Sequence, residues 1–112
     1  MATARIHPLI PDSVDADPQH YKIEFENERV RVVRVRYGPG ERSVMHSHPE
    51  LVGIFLTDSH FKFTYPDGTV EEIHAKAGDI FPHEAFQHLP ENGTETPFEA
   101  VLVELKRSLV LP

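Results

Sequence analysis

Hydrophobic positions along the chain recur with a period of two, and no stretch keeps the 3.6-residue period of an amphipathic helix. From Tyr21 onward, short runs of β-branched and aromatic residues alternate with polar ones between Gly, Pro and Asp turn signals. The pattern predicts an all-β fold. Arg29 to Tyr37 alternates best, but its parity changes at Val32-Val33, which predicts a β-bulge or a change of sheet at that point. In the next run Val52, Ile54 and Leu56 share the even face, so a strand that stays regular past Pro49 gives His46 and His48 the same core-facing parity. Phe61, Phe63 and Tyr65 open a hairpin that turns at Pro66-Asp67-Gly68 and returns over Val70 to Lys76. A turn at Ala77-Gly78-Asp79 leads to a short strand at Ile80-Phe81 and then a loop containing Pro82 and Ala85. Phe98 to Leu105 is apolar on both parities at Val101-Leu102-Val103, as a central strand covered on both sides would be. Short strands with turns at roughly 8–12-residue spacing are the signature of a sandwich or barrel.

A chain of 112 residues is one domain in size. Residues 1–20, rich in Pro and Asp, read as an irregular N-terminal arm lying over the body or a partner subunit, and residues 21–112 as a single domain. His7, Pro8 and Pro11 interrupt the N-terminus before a signal-peptide core develops, and the longest apolar run, Leu51 to Leu56, is far below the roughly 18 residues of a membrane span. The expectation is a soluble, cytoplasmic protein with no membrane partner. Eleven Lys and Arg against 18 Asp and Glu give a net charge of −7, the wrong sign for a nucleic-acid binder. The five arginines from Arg29 to Arg42 read as outward strand positions paired with Glu24, Glu26, Glu71, Glu72 or Glu99. No G-x-S-x-G, phosphate-binding glycine loop or dinucleotide fingerprint supports a hydrolase, kinase or dehydrogenase.

Cysteine is absent, which removes disulfides, thiolate catalysis and every Cys-based zinc site, so any metal must rest on His and carboxylate. Eight histidines stand in the chain, and the sharpest local signal among them is His46-Ser47-His48. Residues two apart on a strand share a face about 6.5 Å apart, so their imidazoles can converge on one ion at about 2.1 Å each. Gly40 precedes His46 by five intervening residues, and a second block follows: Gly78-Asp79, Pro82, His88-Leu89-Pro90-Glu91-Asn92.

These blocks resemble the two motifs of the cupin superfamily, G-x5-H-x-H-x3,4-E-x6-G and G-x5-P-x-G-x2-H-x3-N. Gly40, His46 and His48 match the first residue by residue, while Gly78, His88 and Asn92 match the second in kind. The chain is similar to small single-domain bacterial cupins, RmlC-like in type, and the resemblance implies a cupin jelly-roll (double-stranded β-helix) barrel with His46, His48 and His88 around a divalent metal. Two departures stand out. The family glutamate would fall at Val52 or Gly53, leaving Glu50 as the nearest carboxylate and candidate fourth ligand. The stretch from Gly78 to His88 is one residue short and lacks the glycine after Pro82, so the loop before His88 is rebuilt.

The functional expectation is a metalloprotein carrying Fe, Mn, Ni or Zn that acts on a small polar molecule by oxygenase or by isomerase or lyase chemistry. Its alternative is a non-catalytic small-molecule-binding or sensor cupin that has lost its metal. His83, near the expected barrel mouth, is the candidate acid or base, and Phe55, Phe63, Phe81 and Phe86 either line a pocket or fill the barrel. His7, His20, His60 and His74 read as surface residues. A homodimer is expected.

Overall fold

The computed structural model describes residues 10–106; His7, the first nine residues of the predicted arm and the last six of the predicted domain lie outside the described residues. Nine strands follow one helical turn, α1 (Ser13–Ala16): β1 (Tyr21–Glu26), β2 (Val30–Tyr37), β3 (His46–His48), β4 (Leu51–Phe55), β5 (Ser59–Thr64), β6 (Val70–Ala75), β7 (Ile80–His83), β8 (Phe86–Asn92) and β9 (Phe98–Leu105). They form a five-stranded sheet in the order β1-β2-β9-β4-β7 and a four-stranded sheet in the order β3-β8-β5-β6, with antiparallel pairing throughout both. Inward residues of the two sheets meet in one core: Tyr21, Val33, Val35, Tyr37, Phe98 and Ala100 from the larger sheet, Phe61 and Phe63 from the smaller. No helix among the described residues is long and apolar enough to cross a membrane.

The parity change at Val32-Val33 has a different origin from the one expected. β2 pairs with β9 in unbroken register from Val30↔Leu105 to Tyr37↔Phe98. The irregularity sits in β1, where Glu24 is the extra residue between Ile23↔Val33 and Phe25↔Val32. β2 reads as apolar on both parities because Val30 and Val32 lie half-buried on the outer face, back to back with buried Val33 and Val35.

The parity argument through Pro49 is also corrected. His46 and His48 do point inward, but on β4 it is Leu51 and Gly53 that are buried, and Leu56 is exposed. Between His48 and Leu51 the chain crosses from the smaller sheet to the larger, and Pro49-Glu50 absorb the change of phase. The link from β7 to β8 makes the reverse crossing in two residues, Glu84 and Ala85. Pro82 and His83 therefore belong to a strand instead of a loop; β7 is an edge strand, where a proline without an N–H is tolerated. β9 is central in its sheet as expected, yet nothing among the described residues covers its outer face, and Val101 and Val103 stay half-exposed there.

Both motif glycines have a backbone reason. Gly40 and Gly78 have φ of 69° and 92°, in the region that side chains disfavour. Gly78 also donates its N–H to the Phe55 carbonyl at 2.7 Å, which ties the turn before β7 to the end of β4.

The described part of the arm packs along the free edge of β3. Ser47 N–H donates to the Pro11 carbonyl at 2.8 Å, and Asp12 forms an isolated parallel bridge with Ser47, so the short edge strand carrying two histidines is shielded. Asp12 caps α1 by accepting from Val14 N–H, and its carboxylate also takes two hydrogen bonds from Arg31 at 2.8 and 2.9 Å.

Candidate metal centre

β3 and β8 are neighbours, and His46 is registered directly across from His88. His48, two residues beyond His46, shares its face, so three imidazoles from two adjacent strands meet inside the barrel. All three are buried. His48 Nε2 lies 3.1 Å from His46 Nε2 and 3.1 Å from His88 Nε2. Donors held at about 2.1 Å from one ion are spaced by roughly 2.9 Å at octahedral angles and 3.4 Å at tetrahedral ones, so both contacts of His48 have the spacing of a ligand set, and all three residues place a donor within 4.8 Å of the others.

The nitrogens turned away from this point decide the protonation. His46 Nδ1–H donates to the Val44 carbonyl at 2.8 Å, which leaves the lone pair on Nε2, aimed at the other two rings. Burial first, and then the neighbouring His48, lower the His46 pKa to about 3; burial and the same histidine neighbours hold His88 well below its ordinary value. Both rings are therefore neutral near pH 7, the state in which imidazole ligates. Among themselves the rings leave buried groups without hydrogen-bond partners, namely His48 Nδ1, His88 Nδ1 and the Glu104 Oε2 that faces His48 Nδ1 at 3.7 Å. A cation would take all three Nε2 lone pairs at once and leave each Nδ1 protonated, with His48 Nδ1–H turned toward a carboxylate. The residues present fit a divalent metal.

Aromatic rings wall the triad. Tyr21 meets His46 edge-on at a centroid distance of 4.8 Å, Phe63 meets His88 at 4.3 Å, and Phe86 lies 4.6 Å from His88 and 5.2 Å from His48. His48 and His88 border a cavity of about 60 Å³, and Phe55, Phe63, Phe81 and Phe86, all four of the phenylalanines singled out above, line it. No carboxylate is among its lining residues.

Glu50 and His83 are not brought to this point. Glu50 is exposed because it sits at the sheet crossing, where inward Leu51 forces its neighbour outward; its carbonyl accepts from Leu105 N–H at 2.9 Å. His83 is half-buried at the end of β7, stacked on Phe81 at 5.2 Å and against Phe86 at 4.1 Å, and it is absent from the cavity lining. His20 overturns its surface assignment: it is 7% exposed, lies 2.6 Å from Asp17 and 2.8 Å from Glu41, and stacks on Tyr37 at 4.2 Å. The arm has no apolar periodicity to announce this burial, which comes with the contacts to Asp17, Glu41 and Tyr37.

A second layer of groups escaped the sequence reading. Ser43 Oγ lies 3.2 Å from His46 Nδ1 and donates to Asp17 at 2.5 Å, so Asp17 and Ser43 back His46 while Glu104 stands behind His48. Tyr21 and Tyr37 join hydroxyls at 2.7 Å beside them. Glu104 was visible as a lone carboxylate sharing the even parity of Phe98, Ala100 and Leu102, the inner face of β9. Burial alone would push the Asp17 carboxyl up, but the Ser43 hydroxyl and the His20 ring outweigh it and hold the group below the ordinary aspartate value. A carboxyl lowered by folding stabilises fully above its unfolded pKa of about 3.9 and loses that contribution as pH falls through the folded value. Asp17→Asn is expected to cost about 1.5–3 kcal/mol at pH 7, and denaturant titrations should show the gap to wild type narrowing below about pH 4. A gap unchanged at low pH would mean that the charge of Asp17 contributes nothing.

Comparison with solved structures adds to this geometry. A cupin domain from Bordetella pertussis Tohama I matches with a TM-score of 0.72 and 26% identity over 78% of this chain and 92% of that one. A Klebsiella pneumoniae protein with a double-stranded β-helix domain matches at 0.62 and 25% over 77% and 75%. An RmlC-like cupin family protein from Methanocaldococcus jannaschii matches at 0.60 and 19% over 80% and 83%. No protein-family model matches the sequence, and no curated protein does. Two antiparallel sheets closed around an inward cluster of histidines define a double-stranded β-helix protein. The chain is a small member of the cupin superfamily.

Proposed function

We propose that this cupin holds one divalent ion on His46, His48 and His88 and acts on a small molecule admitted beside it. The convergence of three buried imidazoles beside an aromatic-lined cavity carries the reading. A bound ion of the Fe, Mn, Ni or Zn kind supplies Lewis acidity, or redox chemistry for Fe and Mn, with coordination positions left for a ligand. The chain's own residues exclude water through Phe63, Phe81 and Phe86 and orient the His46 imidazole through Val44 and Ser43, with Glu104 behind His48. The lining favours a substrate with a small apolar body and one polar atom reaching the histidines. Oxygenase and isomerase or lyase chemistry both fit this arrangement. Calorimetric titration of chelator-stripped protein with each of the four ions in turn should give tight uptake at the triad; uptake of none would sink the reading and leave a metal-free small-molecule binder.

We also infer a homodimer formed through the outer face of the five-stranded sheet. Phe25, Val32, Val103, Val52 and Pro82 are registered side by side across all five strands, an uninterrupted apolar row. Phe25 on one edge strand is 53% exposed and Ile80 on the opposite edge strand 59%. Light scattering after size exclusion should give twice the chain mass for the wild type and the monomer mass for Phe25→Lys with Ile80→Lys. A monomeric wild type would refute the dimer.

A further inference from the structure

The chain carries a second cluster of metal-ligating groups far in the fold from the first. His60 on β5 and His74 on β6 are registered directly opposite each other, and Glu72 stands one diagonal position away. Phe61 and Phe63 send the alternate side chains of β5 into the core, so His60 points from the other face of the sheet, away from the buried triad. The two rings stack at a centroid distance of 4.1 Å, and His60 Nε2 contacts the Glu72 carboxylate. One donor atom from each of the three residues lies within 4.8 Å of the others.

We propose that His60, Glu72 and His74 form a second divalent-metal site on the outside of the β5–β6 hairpin, taking zinc or a similar borderline ion. Two imidazoles and one carboxylate are a known zinc donor set, and it leaves a coordination position for water. The tetrahedral spacing of about 3.4 Å asks donors that lie up to 4.8 Å apart to rearrange by at most about 1.4 Å. They are free to do so, since the side chains of His60 and Glu72 are 38% and 55% exposed and His74 is exposed. Lys62, registered across from Glu72, is the opposing charge.

The position gives the ion a role. β6 is the edge strand of its sheet, and His60↔His74 is the second pair from the open end of the hairpin, next to Ser59↔Ala75. An ion there pins the edge strand at the end away from the turn, where the hairpin would otherwise fray first.

Equilibrium dialysis of the full, chelator-stripped chain against zinc tests the assignment. Two equivalents per chain are expected in the wild type. His74→Ala and His60→Ala should each weaken one equivalent by at least about tenfold and spare the other, because losing a ligand costs no less than losing its outer-shell partner. Imidazole NMR separates this site from the buried one: zinc should shift the His60 and His74 resonances in His88→Ala as in the wild type. Zinc uptake by His74→Ala equal to wild type in number and affinity would overturn the site, as would His60 and His74 signals that stay fixed until about millimolar zinc. Loss of the buried equivalent alone would count against the barrel reading and leave this one standing.

Discussion

His88→Ala is expected to lower affinity for the buried divalent ion by at least about a hundredfold, with the fold retained. One of three facial donors disappears, and the geometry offers no substitute: Glu50 is exposed beyond the sheet crossing, and Glu104 faces His48 from the side of Nδ1, away from the converging Nε2 atoms. The loss should exceed the 10–100-fold typical of outer-shell changes. Folding should survive because the histidines have no hydrogen-bonded partner across the core whose loss would strand a charge; His88 Nδ1 has none at all in the structure. His48→Ala should behave alike, whereas Glu50→Ala should leave affinity within about twofold, as expected of a surface residue outside the site. Calorimetry with circular dichroism on the same samples separates binding from folding. Equal affinity in His88→Ala and wild type would show that the triad is not the ligand set, and a large loss in Glu50→Ala would restore that residue as a ligand.

Arg31→Met is expected to be the most destabilising single substitution outside the core, by about 3–5 kcal/mol. Glu104 is 1% exposed and receives the Arg31 Nε–H at 2.7 Å, while the same guanidinium reaches Asp12 and so fastens the arm to the barrel. Removing the arginine leaves a carboxylate in the interior with no cation, releases the capping residue of α1, and loosens the segment that covers β3. A fall in melting temperature of at least about 10 °C should follow for a domain of this size. Arg31→Met combined with Glu104→Leu should recover much of the loss, since replacing both partners avoids the unpaired charge. A double variant no more stable than Arg31→Met alone would place the cost in the contact with Asp12 instead of in the buried carboxylate.

The elements that were legible in the sequence are those whose cause is local. Phe98 to Leu105 coincides with β9, and the Pro66-Asp67-Gly68 turn joins β5 to β6, because turn chemistry and runs of apolar residues act over a few neighbours. The Arg34 pairs with Glu24 and Glu99 were likewise within reach of cross-strand reasoning. The parity count failed where the chain changes sheets. At Pro49-Glu50 the two-residue period is reset, so a parity count carried from His48 to Val52 gives the wrong face. The same reset turns Glu50, the nearest carboxylate in the sequence, away from the histidines.

By itself the sequence determined that any metal here would rest on His and carboxylate, and its resemblance to the cupin motifs pointed to His46, His48 and His88. Only the tertiary structure decided what stands behind them. Asp17 and His20 arrive from the arm, and Glu104 from a strand of the opposite sheet paired to Arg31, across separations in sequence that no local pattern spans. A ligand pair two residues apart is a property of one strand. An outer shell is a property of the packing of several, and the register that brings His88 across from His46 exists only once β3 and β8 are hydrogen-bonded side by side.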